Sequence, residues 1–317
     1  MAIMESTTHE PVLKEDVLEG LAVRPGGRYV DATLGGGGHS EALLEQSSPD
    51  GTVLGLDQDP DALARTGRRL ERFGDRFEAL RGNFEDIADL VRQQGGPAPD
   101  GILMDLGISS DHLDRAERGF SFRFEGPLDM RMDPDSGLSA GEWLAGVEED
   151  ELVRVLRTWG EERQARRIAR AILGARQQNR LHTTLELADV VERAVGGRRG
   201  AARHPATKTF QAIRMAVNRE MEVLEKGLNG SLSLLPVGGR LAVITFHSLE
   251  DRMVKHTFRE HEGKEESLYQ GGSVWRGTYP RLTRVSRKPR VADEEERKRN
   301  PRSRSAKLRI VEIKEVA

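Results

Sequence analysis

The sequence predicts an α/β protein, with a mostly parallel, twisted sheet covered by helices and interrupted by a helical insertion. Short apolar runs alternate with amphipathic stretches through the first 110 residues, which argues for parallel strands joined by crossover helices. Between residues 111 and 204 the alternation stops, leaving only loops and amphipathic helices. It then resumes with an apolar strand. The core is therefore expected at 1–110 and 205–317, and the insertion at 111–204.

The first strand, 28–31, runs into "YVDATLGGGGHS", which places Asp31 ahead of four glycines at 35–38 and a helix opening at Ser40. Strand, glycine turn, helix is the layout of a loop for a nucleotide-type ligand. Bare glycines leave no side chain in the way and tolerate positive φ. Further strands are expected at 53–57, 77–80 and 101–105, with apolar residues at helical spacing across 62–73 and 84–92. In the insertion, Ala165, Ile168, Ala169 and Ile172 form an i, i+3, i+4, i+7 stripe, with Arg163, Arg166, Arg167 and Arg170 largely off it. Phe120, Phe122 and Phe124 alternate as on a short strand or a stacking platform, and core packing is expected for at least two of them. Phe210, Ile213, Val217, Met221, Leu224 and Leu228 then mark one long helix. "RLAVITF" (240–246) and "KLRIVEI" (307–313) read as strands, and 286–305 as a charged, mobile stretch.

The chain has no cysteine, which excludes a disulfide framework and a thiolate metal site. None of its eight histidines has a partner at metal-binding spacing, so no metal is expected. No apolar run approaches the length of a membrane span, and the polar start "MAIMESTTHEP" is unlike a signal peptide. A cytoplasmic protein without a membrane partner is the expectation. The net charge of −3 hides segregation: residues 151–220 carry 15 Lys/Arg against 7 Asp/Glu, and residues 281–309 carry 12 against 4. Two basic blocks on an otherwise acidic chain suit a polyanionic partner, although a solvated arginine-rich helix face gives the same count.

Two ligands compete for the glycine turn. A dinucleotide fingerprint wants G-x-G-x-x-G/A, and here the third position is Ser40. A zwitterionic amino-acid group explains Asp31 better, since a carboxylate receives its ammonium while loop N–H groups take its carboxylate. Asp57, ending the second strand, suits the paired hydroxyls of a ribose. An adenosine with an amino-acid tail is S-adenosylmethionine, which the pattern favours over a dinucleotide.

Longer motifs go further: "MDLGISS" (104–110), "ERGFSF" (117–122), "GPLDMRMD" (126–133), "GEERQARRIARAI" (160–172), "HPATKTFQAIRMAVNRE" (204–220) and "TFHSLEDR" (245–252). In this order, over nearly the whole chain, they resemble the bacterial MraW/RsmH-type methyltransferases, which methylate the exocyclic N4 of a decoding-site cytidine in 16S ribosomal RNA. The resemblance implies a class I methyltransferase core of Rossmann-like type, S-adenosylmethionine as donor, and the insertion as an RNA-facing subdomain. It also implies a small ribosomal subunit or its precursor as partner. Carried over by position, Gly37, Gly38 and His39 contact the cofactor, Asp57 holds the ribose, Phe84 lies by the adenine and Asp105 by the methionine end. The family commonly has glutamine where this chain has His112, for which a cofactor contact is also expected. Nothing is carried over to 263–281.

A cytosine N4 amine is a weak nucleophile, and methylation there needs a group that accepts an amine hydrogen. Many amino methyltransferases place an Asp/Asn-Pro-Pro-aromatic tetrapeptide after the fourth strand, whereas this chain has Asp105-Leu106-Gly107-Ile108. Asp105 is the expected positioning group, with Asp129 and Asp133 as acceptors and His247 as a substrate contact or a strand-end cap. Ser248 with Asp251 reads as a capping box. Arg131 binds phosphate or pairs with Asp129 or Asp133; Arg163, Arg166 and Arg170 are expected to bind RNA. Rival readings are a methyltransferase for a small molecule or protein, a non-catalytic RNA-binding module and a nicotinamide oxidoreductase. The basic blocks disfavour the first, the Asp31, glycine, Asp57 and Asp105 set the second, and Ser40 the third.

Overall fold

The computed structural model describes residues 10–198, 203–267, 269 and 272–315. It divides into two compact units, Met1–Gly107 with Glu222–Ala317, and Ile108–Met221.

The first unit holds β1 (Arg28–Asp31), β2 (Thr52–Asp57), β3 (Phe77–Arg81), β4 (Gly101–Asp105), β5 (Arg240–Thr245), β6 (Lys264–Ser267), β7 (Ser273–Arg276), β8 (Leu282–Arg284) and β9 (Lys307–Ile313). Seven of them form one sheet, ordered β3-β2-β1-β4-β5-β9-β8, while β6 and β7 pair separately. The first five run parallel, with Val30 opposite both Leu54 and Ile102 and Leu103 opposite Ala242. β9 returns antiparallel to β5, and β8 antiparallel to β9.

Central strands covered on both faces must be apolar throughout, and Ile102, Leu103, Met104 and 241–244 are fully buried. On one face Tyr29, Leu103 and Ala242 pack with Val17 of α1 (Lys14–Gly20) and Leu43 of α2 (Gly38–Gln46). On the other, Met104 lies against Gly227 of α11 (Glu220–Leu234), and Gly230 of that helix meets Ile87 of α4 (Ile87–Gln94). Asp59 caps α3 (Pro60–Leu70), accepting from the Asp61 N–H, with Pro60 at the first helical position. The strand order reverses between β1 and β4, which puts the ligand crevice of such a sheet outside their carboxyl ends.

The second unit has no strand among its described residues. It contains α5 (Ser110–Asp114), α6 (Ala140–Gly146), α7 (Glu149–Thr158), α8 (Ala165–Gln177), α9 (Thr184–Val195) and α10 (Thr207–Val217). Its core gathers Leu144, Leu152, Leu156, Ile168, Ile172, Leu187 and Ile213. Capping boxes at Ser139/Glu142 and Thr183/Glu186 start α6 and α9. Phe120 is buried, Phe122 packs on Phe210 at 4.9 Å, and Phe124 is exposed. No helix among the described residues is long and apolar enough to cross a membrane.

Four expectations are corrected. The insertion extends to 221 rather than 204, because α10 buries Phe210 and Ile213 in the second unit's core. The single long helix across 210–228 is two. Asn218 interrupts it, donating to the Met130 carbonyl at 2.7 Å and accepting from the Met132 N–H at 2.7 Å, and Arg219 follows at φ +50°. The capping box lies one residue earlier: His247 caps α12 (Ser248–Glu262) with Glu250, and Asp251 pairs instead with Lys307 and Arg309. The stretch 286–305 contains α13 (Glu294–Arg299) and a 3₁₀ turn, Pro301–Ser305, and Arg290 ties it to Asp16 and Glu19.

Candidate active site

Asp31, Asp57 and Asp105 end β1, β2 and β4, so strand direction alone brings three carboxylates to one edge of the sheet. Between them lies the glycine turn. Gly35 (φ +49°) and Gly37 (φ +76°) adopt the left-handed conformation that glycine takes without strain, and Gly37 caps α2. A Cβ on Gly36 would meet nothing within 4 Å, whereas one on Gly37 would strike Thr66 and one on Gly38 would press on Pro11. The turn is packed underneath and open at Gly36.

Asp57 fixes this turn. Its Oδ2 accepts from the Gly35 N–H at 2.8 Å and its Oδ1 from the Asp59 N–H at 2.9 Å. A carboxylate oxygen has two lone pairs, so holding the turn does not by itself exclude accepting from a diol. Asn83, next to Phe84, donates to Gln58 at 3.1 Å, which places Phe84 beside the end of β2. A Cβ on Gly227 would lie 2.4 Å from the Phe84 ring, so only glycine lets that helix back the aromatic.

Asp31 is buried and accepts from the Ser40 hydroxyl at 2.7 Å and the Thr33 N–H at 3.2 Å. Burial pushes its carboxyl up to about 6, against those hydrogen bonds. Burial also pushes Asp105 up to about 7; Arg302 acts against that, and Asp31 and Glu250 add to it. The same desolvation, with the Lys14 charge, lowers His39 to about 4, so its imidazole is neutral near pH 7. His39 Nε2 lies 3.9 Å from Asp105 Oδ2. Among the described residues, neither that nitrogen nor Asp105 Oδ1 has a hydrogen-bond partner, although both atoms are buried. Unsatisfied buried polar atoms are costly and mark places that a ligand or water completes. Bare backbone at Gly36, a ribose-type carboxylate and this pair fit an adenosine carrying a charged amino-acid tail.

The other expected residues lie elsewhere. His247 belongs to the first unit, where its Nδ1 accepts from the Glu250 N–H at 3.4 Å and its Nε2 lies 3.0 Å from Glu250 Oε1. His112 lies in the second unit and completes a capping box with Ser109, its ring 4.9 Å from Phe120. Asp129 is held by Arg131 through a fork, with Nη2 to Oδ2 at 2.7 Å and Nε to Oδ1 at 3.1 Å. Arg131 is thus paired as the internal reading of its sequence allowed. Arg163 precedes α8, and Arg166 and Arg170 are exposed on it; Arg170 pairs with Glu149 at 3.0 Å. Arg163 and Arg166 have no ion-pair partner among the described residues. Sequence reasoning missed Glu250 and Arg302, whose charges both act on Asp105. In the sequence, Glu250 lies inside the Ser248–Asp251 stretch that reads as a capping box but has no role of its own there, and Arg302 is only one cation in a basic block.

A model of the MraW methylase family matches residues 6–314. Ribosomal RNA small subunit methyltransferase H of Trichlorobacter lovleyi is 49% identical over 310 residues, covering 98% of this chain and 99% of the relative. Its counterpart from Symbiobacterium thermophilum is 50% identical over 304 residues, covering 96% of each.

Proposed function

This chain belongs to the MraW methylase family, and from that premise we propose that it transfers a methyl group from S-adenosylmethionine to small-subunit ribosomal RNA, at the exocyclic N4 of a decoding-region cytidine in 16S rRNA. When bound, the cofactor supplies an electrophilic methyl group on a sulfonium. The chain's own residues do the rest. Asp57 holds the ribose, the glycine turn admits the tail to the backbone, and Asp31 receives its ammonium. Phe84, backed by Gly227, flanks the adenine. Asp105 is the acceptor for an amine hydrogen, and alignment of the two reactants can supply much of the rate, since the sulfonium is already a reactive donor. His39, neutral and buried, keeps a polar atom beside Asp105 without adding charge.

One observation carries this reading: two buried polar atoms, His39 Nε2 and Asp105 Oδ1, lack partners among the described residues, at the carboxyl edge of the sheet beside bare glycine backbone. The second unit, with Arg163, Arg166 and Arg170 exposed on one segment, supplies the expected RNA grip. Incubation with labelled methyl donor and small ribosomal subunits, followed by mapping of the labelled nucleotide, tests the proposal. Label on a cytosine N4 of the decoding region is expected, and label elsewhere or none refutes it.

A further inference from the structure

We propose that Arg302 is an anion-binding residue of the reaction centre, delivered by the Pro301–Ser305 turn to hold a phosphodiester of the RNA strand being modified. The inference rests on the ribosomal RNA reading above and adds a residue that neither the motifs nor the first basic block supplied.

The placement follows from strand direction. β9 is antiparallel, so its first residues lie at the edge where β1, β2 and β4 end. Asp105 is opposite Ile244, Ile244 is opposite Leu308, and Thr245 is opposite Lys307. Asp105 and the start of β9 are thus two strand spacings apart, about 10 Å. Arg302 precedes that start by a single 3₁₀ turn.

The turn is also locked. The Arg302 N–H donates to Asn300 Oδ1 at 3.3 Å, and the buried Ser303 hydroxyl donates to the Asn300 carbonyl at 2.8 Å. Asn300 Nδ2 reaches the Glu10 carbonyl at 2.9 Å, and the next residue, Pro11, abuts Gly38 of the glycine turn. The carboxyl-terminal segment is therefore laced to residues beside the cofactor loop rather than hanging free.

The chemistry follows from charge. Asp31, Asp57 and Asp105 line this edge, and an RNA phosphate approaching three carboxylates is repelled unless a cation meets it there. Arg302 is the cation with the largest influence on Asp105. A guanidinium offers a planar fork of donors that matches a phosphate and remains charged at any working pH.

The test compares the parental chain with Arg302→Gln, Arg302→Lys and Lys298→Gln. Lys298 is an exposed cation of neighbouring α13 and controls for overall charge. RNA binding is measured against salt, KM with small-subunit rRNA, cofactor affinity by calorimetry and folding by thermal melting. Arg302→Gln is expected to raise the RNA KM about tenfold and to lower the salt slope of binding by about 0.7, the share of one phosphate on a single strand. Cofactor affinity should stay within about twofold, and Arg302→Lys should recover part of the loss, since a lysine keeps the point charge without the fork. Lys298→Gln should match the parent. Three results overturn this inference alone: parental KM and slope in Arg302→Gln, an equal loss in Lys298→Gln, or a loss confined to cofactor affinity, which would assign Arg302 to the cofactor carboxylate. A parental chain that binds no RNA overturns the ribosomal RNA reading together with this one.

Discussion

Raising the pH from 6 to 8 should tighten binding of S-adenosylmethionine far more than binding of its demethylated product. Asp105 has its carboxyl raised to about 7 by burial, so it is about one-tenth ionised at pH 6 and about nine-tenths at pH 8. A sulfonium cation beside Asp105 binds the ionised form, so affinity rises with pH through this window. The ceiling is the ratio of ionised fractions, about ninefold, or about 1.3 kcal/mol. Asp31, raised to about 6, titrates below it. Its partner, the ammonium, is common to substrate and product, so Asp31 moves both affinities alike and the difference isolates Asp105. Calorimetry of both ligands at half-unit steps measures this. Asp105→Asn should remove the difference while leaving the shared part. Parallel pH curves for the two ligands in the parental chain would refute the placement of Asp105 beside the sulfonium.

Asp57→Ala should weaken cofactor binding by about 1.5–3 kcal/mol, the scale of hydrogen bonds to a charged group. It should also lower the melting temperature, because the Gly35 and Asp59 N–H groups lose their acceptor; unchanged calorimetric affinity in a folded variant would leave Asp57 as a turn fastener only. Replacing Arg163 and Arg166 by glutamine should flatten the salt slope of RNA binding by about 0.7 per contact removed, with cofactor affinity unaltered. Arg170→Gln should add less, since Glu149 already neutralises it, and a parental slope in filter binding would show α8 to be a solvated face. Asn218→Ala should cost about 2–4 kcal/mol in urea unfolding, because it strips partners from the Met130 carbonyl and the Met132 N–H. A midpoint within experimental error of the parent would mean that the helix break is held by something else.

Six strands of the main sheet were legible because each is an apolar run bounded by glycine, proline or charge, and buried strands need little else. The seventh, Leu282–Arg284, is three residues long and carries no pattern of its own. The break at Asn218 was invisible because 210–228 keeps helical spacing across it, and the partners that break it are some 86 residues away in sequence. Order in 286–305 was hidden for the same reason: Arg290 finds Asp16 and Glu19 more than 270 residues upstream. At the site, the glycine turn and the three strand-end aspartates were readable from position alone. The state of the pair His39 and Asp105 was not, because burial sets it, and burial is a property of the packed sheet rather than of the local sequence.

The position of β9 has a consequence for how the chain is made. Its seven residues follow every other strand of the sheet in sequence, yet they seal one side of β5, whose residues 241–244 are wholly buried in the folded molecule. Until Lys307–Ile313 leaves the ribosome, the growing chain carries an unpaired apolar strand edge of the kind that recruits other chains. A stop codon or a protease cut just before Lys307 would therefore not merely trim this protein. It would leave a sticky, open-sided sheet without β9, and quality control would meet it as a misfolded chain.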